Sequence, residues 1–406
     1  MPRVLDDFRR TQLAIAALFC FLGFQYATWI SRIPALKTRL DLSAGEVGLL
    51  LMVTGAGAAA SFPLLTFLMK RLGARRLALL SGLGLVAILL ALSVAPNYPV
   101  TLVILCADGV AVGCLNVAMN AQGAALEAAH GRTAMTQLHA TFSAGSFLAA
   151  LVSSGVTALT SGIVTHFVAA SAVLLLLLAC ARPRLLPDDA PANEPAEQGE
   201  GKRRRRMARP TRVMLWLGCT MVFAEVVEGS MNDWSALYLK DVAGASAQVA
   251  PLGIAVISVV MVLARLFGDG WRSRWGDAVV VRVGSAVAGI GLALALLAGG
   301  VVPALLGFAC VGLGVAAVTP CLYVAAAAEG PEALSLVAAT GTTGLLVGPA
   351  LIGFVAEVSD LTWGMAVVAA SAVIVSLCTT RLHWSAPTKA SSEASMETEA
   401  VEKGAM

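Results

Sequence analysis

The sequence has 406 residues, of which 58% are hydrophobic and 13% are charged, and its mean hydropathy is +0.81. Soluble domains have about 45–50% apolar and about 25% charged residues, so this composition excludes an ordinary soluble protein and indicates an integral membrane protein. The formal net charge of +3 is explained by basic loops beside a membrane, and it does not predict nucleic-acid binding.

Apolar segments of membrane length occur along most of the chain. A helix needs about 20 residues to cross the hydrocarbon core, and because backbone groups must be paired there, such segments are predicted to be helices. We predict about twelve, at 11–33, 45–69, 77–94, 100–124, 136–160, 164–181, 213–236, 248–267, 279–299, 302–326, 334–356 and 362–381. The first lacks the cleavage pattern of a signal peptide and is predicted to be a membrane helix.

A polar segment divides these helices into two groups of six. It contains KRRRR at 202–206 and is rich in Pro, Ala and charge, which is typical of a flexible linker. The predicted parts are an N-terminal six-helix bundle (1–181), a cytoplasmic basic linker (182–212), a C-terminal six-helix bundle (213–382) and a disordered cytoplasmic tail (383–406). The predicted fold class is an all-α integral membrane protein with two pseudo-symmetric bundles.

The positions of Lys and Arg predict the orientation. With the N-terminus inside, most of the 28 Lys and Arg residues, Arg265 among them, fall in inner loops and tails. The outer side then holds Arg32, Lys37, Arg39 and Lys240. Because basic loops stay on the cytoplasmic side, both termini are predicted to be cytoplasmic, in a multi-pass protein of a bacterial inner membrane.

Polar residues share a face in the first predicted helix. Gln25, Trp29 and Arg32 recur at helical spacing, which brings an aromatic ring and a guanidinium to the outer mouth together. They are candidates for lining a cavity. For Arg32 the alternative is an arginine that extends its charge to the membrane surface.

The fourth and fifth predicted helices also have polar faces. Asn116 and Asn120 follow Gly109 and Gly113, and the glycines allow close helix approach while the amides suit either interhelical bonding or a cavity. Asp108 lies to one side of that face. In the fifth helix, His139, Ser143 and Ser146 share a face, where the histidine either relays protons or is a packed core residue.

The seventh predicted helix contains two acids in AEVVEGSMNDWSALYL (224–239). Glu225, Glu228 and Asn232 fall on one stripe at 100° per residue. An ionised carboxylate at mid-bilayer costs about 2.5–3.5 kcal/mol, so it must face protein or water. The alternatives are a structural bond between helices and a water-filled cavity, and the small and polar residues of the stripe favour the cavity.

Hydroxyl groups follow in the tenth and eleventh predicted helices, at Thr319, Tyr323 and Thr343. Acids, amides, hydroxyls and a few aromatic rings suit a small polar or amphipathic organic solute. The phosphate-binding motif G-x-x-x-x-G-K-[ST] is absent, and so is H-E-x-x-H, so we expect no cofactor and an ion gradient as the energy source.

Two loops carry a family resemblance. Arg71-Leu72-Gly73 aligns with Arg274-Trp275-Gly276, and the second loop, with Gly268, Asp269, Arg274 and Gly276, resembles the Gly-Asp-basic-Gly loop of the major facilitator superfamily. In the first loop, Thr66 departs from the acid that the family has there. The strings ATWISRIPALK, NVAMNAQ, LHATFSAG, EGSMNDWSALYL and GLLVGPALIGF resemble the MosC/YbjJ-like branch. At the level of topology the resemblance spans residues 11–382.

The resemblance implies a monomeric secondary active transporter that works by alternating access in the lipid bilayer. The acids suggest coupling to protons, and the pore chemistry suggests a sugar-like, amine-bearing or antibiotic-like solute. The frequency of exporters among bacterial transporters favours export. The alternatives are a sugar/proton symporter for uptake and, from another class, a membrane sensor or intramembrane enzyme, whose motifs are absent.

The predicted site residues form three groups. The proton-coupling candidates are Glu225, Glu228, Asp108 and His139. The substrate-cavity candidates are Gln25, Trp29, Arg32, Asn116, Asn120, Ser143, Ser146, Glu228, Asn232, Thr319, Tyr323 and Thr343. The cytoplasmic gating candidates are Arg71, Gly268, Asp269 and Arg274, with Asp269 as a latch that pairs with nearby arginines when the cytoplasmic side is closed.

Overall fold

The computed structural model describes residues 7–187, 211–382 and 384, except residues 131 and 133 and the side chains of residues 63, 66, 136, 269 and 331. Most of the predicted linker and nearly all of the predicted tail lie outside these residues. The described helices are α1 (Asp7–Ile30), α2 (Ile33–Leu40), α3 (Ala44–Ser93), α4 (Tyr98–His130), α5 (Met135–Leu159), α6 (Ile163–Ala181), α7 (Arg212–Asp241), α8 (Leu252–Trp275), α9 (Asp277–Ala298), α10 (Val301–Val315), α11 (Val318–Glu329), α12 (Pro331–Val358) and α13 (Leu361–Cys378). No β-strand occurs in this part of the chain.

The predicted membrane spans correspond to these helices. In the described residues, 11 helical segments are long and apolar enough to cross a membrane, and α8 adds a shorter apolar segment at Leu252–Gly268. Each predicted span corresponds to one of these segments. The prediction of an all-α membrane protein with about twelve spans is confirmed.

Three features of the fold differ from the predicted segments. The first span contains a turn after Ile30 and a short extra helix, α2, which begins with Pro34 in its first turn. The loop predicted at 70–76 is helical except at Gly73. The tenth span is two helices, α10 and α11, because Pro320 has no N–H to donate to the carbonyl of Ala316 and continue the helix.

The two aligned loops have the same backbone geometry. Gly73 has φ 73° and ψ 169°, and Gly276 has φ 80° and ψ 155°. Only glycine adopts these angles without strain, so each glycine ends one membrane helix and starts the next. The Arg71 guanidinium lies 4.9 Å from the Phe67 ring, and the Arg274 guanidinium lies 5.8 Å from the Trp275 ring. The aligned loops are therefore equivalent turns in the two bundles.

The packing of α3 against α4 is unusually close at Gly109. A Cβ atom added there would lie 1.8 Å from the carbonyl oxygen of Thr54. We therefore expect Gly109→Ala to lower the free energy of unfolding by about 1–3 kcal/mol, as overpacking does elsewhere. Thermal unfolding of the purified protein in detergent measures this change.

Gly155 in α5 provides the matched control, because nothing lies within 4 Å of an added Cβ. Gly155→Ala is expected to leave the stability unchanged or to raise it by up to about 1 kcal/mol, since alanine favours helix. An equal loss of stability in both variants would contradict the importance of the close α3–α4 contact.

The two bundles touch at the end of the molecule that holds the α1–α2 connection, which we call the closed end. There, Lys37 Nζ lies 2.6 Å from Asp241 Oδ2, and the Gly45 N–H donates to Glu357 Oε2 at 3.0 Å. The hydroxyl of Ser154 also donates to the carbonyl of Gln248 at 2.7 Å. These bonds join α2, α3 and α5 of one bundle to elements of the other.

Candidate functional site

A cation connects the two bundles in the middle of the molecule. Arg265 in α8 donates from Nη2 to Glu228 Oε1 in α7 and from Nη1 to Ser143 Oγ in α5, each at 3.3 Å. The Arg265 and Glu228 side chains are 32% and 25% exposed. Three helices from both bundles therefore meet at one ion pair that is partly reached by solvent.

Arg265 corrects the sequence-based assignment, because it was counted among the basic residues of cytoplasmic loops. It lies inside α8, which continues to Trp275. Its Nε also donates to the carbonyl of Ala316 at 3.4 Å. That carbonyl is free because Pro320 interrupts the tenth span, so a broken helix supplies an acceptor for the partly exposed cation.

Glu225 lies about one turn from Glu228 along α7. It accepts a hydrogen bond from Thr319 Oγ1 at 3.3 Å, and Tyr323, about one turn further along α11, is within electrostatic range of it. Glu225 and Glu228 also interact electrostatically with one another. Four predicted residues on α7 and α11 are therefore brought together around one pair of carboxylates.

A second polar pair lies within the N-terminal bundle. Gln25 Nε2 of α1 donates to Asp108 Oδ1 of α4 at 2.8 Å. Gln25 is 0% exposed and Asp108 is 2% exposed. A predicted cavity residue and a predicted proton-coupling residue thus bind each other in a buried contact.

The sequence prediction missed a third polar pair. The hydroxyl of Tyr26 in α1 donates a short hydrogen bond to the carboxylate of Asp233 in α7. Asp233 was visible as an acid within an apolar run, but it lies off the stripe of Glu225 and Glu228 and was therefore not selected. Tyr26 follows Gln25 directly, but it lies off the face that Gln25 shares with Trp29 and Arg32 and was not selected.

Several predicted cavity residues serve packing in this conformation. Trp29 is buried, and Arg32 donates to Thr157 Oγ1 and to the carbonyl of Ser161, both at 2.6 Å. Ser146 donates to the carbonyl of Gly23 at 3.1 Å. These contacts hold α1 and the turn that follows it against α5 and its connection to α6, so they do not place Trp29, Arg32 or Ser146 in the Arg265 cluster.

The remaining candidates bond within their own helices or pack against neighbours. Asn120 donates to the carbonyl of Asn116 at 2.7 Å, Asn232 to that of Glu228 at 2.8 Å and Thr343 to that of Ala339 at 3.0 Å. The His139 ring packs edge-on against the Phe19 ring, with centroids 5.0 Å apart. Contact of Asn116, Asn120, Asn232 and Thr343 with a solute, and proton coupling by His139, stay predictions.

The gating loop is described only in part. The Asp269 side chain lies outside the described residues, so its function as a latch stays a prediction. Close by, Arg272 Nε lies 2.8 Å from Asp277 Oδ1, which joins the end of α8 to the start of α9. Gly268 precedes this turn within α8.

The family is decided by comparison with known proteins. A model described as the Major Facilitator Superfamily matches residues 13–333. The chain belongs to the Major Facilitator Superfamily. The resemblance inferred from the two loops is confirmed, and the chain is a multi-pass membrane protein of the secondary transporter type.

Relatives within the superfamily cover most of the chain. The membrane protein MosC of Rhizobium meliloti is 31% identical over 373 residues, which are 90% of this chain and 88% of MosC. An uncharacterized MFS-type transporter of Yersinia pestis is 32% identical over 360 residues, 86% of this chain and 90% of the relative. The predicted similarity to the MosC-like branch is therefore confirmed.

Solved structures of the superfamily share this fold. A mutant of the nucleoside transporter NupG has a TM-score of 0.74 at 17% identity and covers 93% of this chain and 99% of its own. A D-xylose-proton symporter has a TM-score of 0.74 at 16% identity and covers 92% of this chain and 97% of its own. At these identities the likeness shows the superfamily fold alone.

Proposed function

We propose that this chain is a proton-coupled secondary transporter that moves a small polar or amphipathic organic solute across the bacterial inner membrane by alternating access. The observation that carries the proposal is the bond of Arg265 to Glu228 and Ser143, which lie in opposite bundles. Alternating access requires contacts between bundles that form in one state and break in the other.

The chemistry of the cluster supports proton coupling. Two carboxylates, those of Glu225 and Glu228, share one guanidinium, that of Arg265. Ionised carboxylates repel one another, so a proton is the natural counter-charge for the second acid. A proton on Glu225 leaves Arg265 paired with Glu228 alone, and loss of that proton lets a second carboxylate compete for the guanidinium and weaken its bond to the other bundle.

The direction and topology belong to the same proposal. The excess of basic residues on one side supports cytoplasmic termini, and we propose export by a monomer. The turns at Gly73 and Gly276 then face the cytoplasm, and the closed end faces outward. The structure in this interpretation is closed to the outside.

Solute-driven proton movement in proteoliposomes tests the function. A thermal-shift panel of sugars, amino sugars, amino acids, nucleosides and antibiotics selects solutes that stabilise the purified protein. We expect a gradient of such a solute to drive protons across vesicles that contain a pH-sensitive dye, because coupled fluxes are linked thermodynamically. Protein-free vesicles are the control.

The sign of the proton flux decides the direction of coupling. A solute that drives protons the opposite way indicates antiport and supports export, whereas protons that follow the solute indicate symport and the uptake alternative. A stabilising solute that crosses without proton movement, and without response to an imposed pH gradient, would show that transport is not proton-coupled.

A further inference from the structure

The contact of Tyr26 with Asp233 joins the two bundles away from the Arg265 cluster. Tyr26 belongs to α1 and Asp233 to α7, and the hydroxyl donates directly to the carboxylate. Asp233 lies about two turns before α7 ends at Asp241, whose pair with Lys37 closes the same end. The contact is therefore the inner layer of the closed end.

The Asp233 carboxylate is buried without a compensating cation. The residue is 7% exposed, and no ion pair to it occurs among the described residues. An ionised carboxylate in such a place is costly, because one neutral hydroxyl does not replace its water shell. A protonated carboxyl fits the same contact at far lower cost.

Several charged groups on the elements around α7 have other partners. Arg265 of α8 binds Glu228, Lys37 of α2 pairs with Asp241, and Glu357 of α12 accepts from the N–H of Gly45. Further titratable groups on or beside these elements include Arg32 between α1 and α2, which binds Thr157 and Ser161, Glu228 of α7, which acts electrostatically on Tyr26, Tyr323 of α11, which is near Glu225, and Asp360, which caps α13. Among the described residues, the Asp233 side chain is bonded to Tyr26 alone.

The surrounding layer is polar but incompletely bonded. The indole N–H groups of Trp29 and Trp234 are buried, and neither has a hydrogen-bond partner in the described part of the chain. Buried donors without partners cost about 1–3 kcal/mol each, and water would satisfy them if this end opened. The closed layer is therefore held by few favourable polar contacts besides Tyr26 and Asp233.

We propose that Asp233 is a proton-binding residue that controls the closed end: protonated Asp233 keeps α7 against Tyr26 of α1, and loss of its proton to water opens this end. The direction of the pH effect on closure follows from the burial of the Asp233 carboxylate. Protonated Asp233 stabilises closure, so that stabilisation is present at low pH and is lost as the pH rises.

This inference rests on the proposed function, since it supplies a proton-dependent step to alternating access. It assigns two proton-dependent steps to different acids. The Glu225 and Glu228 pair binds a proton beside Arg265 at the centre, and Asp233 exchanges a proton with water at the closed end. Proton uptake by Asp233 from the water on that side then accompanies closure of that side, as antiport with an exported solute requires.

The experiment measures the separation of the bundles directly and needs neither a solute nor a gradient. Fluorophores at the exposed positions Thr38 and Ala247, attached through genetically encoded reactive residues, report distance across the closed end by energy transfer. In the parent protein the ratio of open to closed molecules is expected to rise by about tenfold from about pH 5 to about pH 9. In Asp233→Asn, which mimics the protonated acid, it is expected to change by less than about twofold.

Three further variants keep the test decisive. Tyr26→Phe removes the donor and is expected to increase opening at alkaline pH, while Asp241→Asn breaks an exposed ion pair and is expected to increase opening equally at every pH. Glu127→Gln, at a carboxylate that accepts the N–H of Met135 at 2.8 Å and lies outside both polar clusters, is expected to retain the response of the parent. A parental pH response in Asp233→Asn or Tyr26→Phe, or loss of the response in Asp241→Asn or Glu127→Gln, would overturn the assignment, whatever the outcome of the proton-flux test.

Discussion

Arg265→Gln is expected to lower the initial rate of solute counterflow by at least about tenfold, which corresponds to about 1.4 kcal/mol. The guanidinium holds Glu228 in α7, Ser143 in α5 and the free carbonyl of Ala316 at once. Glutamine keeps one polar group but loses the charge and the reach across the bundles. The unfolding free energy is expected to fall by only about 1–2 kcal/mol, because the pair is partly exposed.

Two controls separate the charge pair from a general loss of stability. The double variant Arg265→Gln/Glu228→Gln is expected to regain part of the lost stability, since it no longer leaves a carboxylate without its cation. Arg39→Gln also removes a guanidinium, one that binds the carbonyl of Ser93 at 2.6 Å, and its counterflow rate is expected to stay within about threefold of the parent. Equal counterflow rates in Arg265→Gln and the parent would refute the proposed function of Arg265 in transport.

Replacing the coupling acid with glutamine is expected to abolish accumulation of solute against its gradient and to spare counterflow, because exchange needs no net proton movement. Glu225 accepts a hydrogen bond from the Thr319 hydroxyl and is within electrostatic range of Tyr323, whereas Glu228 is bound to the guanidinium of Arg265. We therefore expect this result for Glu225→Gln. Glu228→Gln is expected to lose solute binding and counterflow together, as a solute contact does.

Glu127→Gln is the matched control for these variants. Its carboxylate accepts the N–H of Met135 at 2.8 Å at the start of α5 and lies outside the Arg265 cluster, so accumulation is expected to be retained. If both Glu225→Gln and Glu228→Gln still concentrate the solute with the pH dependence of the parent, neither acid couples protons. Their contacts with Thr319 and Arg265 would then be structural bonds between helices.

Local patterns in the sequence were sufficient for the membrane spans and for part of the site. The apolar composition of each span is enough to place that span in the lipid bilayer. The 3.6-residue period of a helix places Glu225, Glu228 and Asn232 on one face without any knowledge of neighbouring helices. The glycines at 73 and 276 were found by aligning two short loops, since each demands a backbone that only glycine adopts.

Those sequence patterns could not predict which helices contact each other. Arg265 lies at the end of the predicted span 248–267 and was counted with the basic residues of the cytoplasmic loop that follows, although Glu228 and the carbonyl freed by Pro320 bind it inside the protein. The break between α10 and α11 was also missed, because hydropathy does not register a lost N–H. Gln25 and Asp108 were found separately, but nothing in the chain indicated that they bind each other.

The sequence by itself determined that this is a helical membrane protein with two bundles of a transporter superfamily, because composition, span length and loop motifs are properties of short stretches of chain. Only the tertiary structure decided which polar groups meet: Arg265 with Glu228 and Ser143, and Tyr26 with Asp233. Those contacts depend on the rotation and spacing of helices that are distant in sequence. Helical periodicity states the face on which a residue lies and leaves open which helix that face will meet.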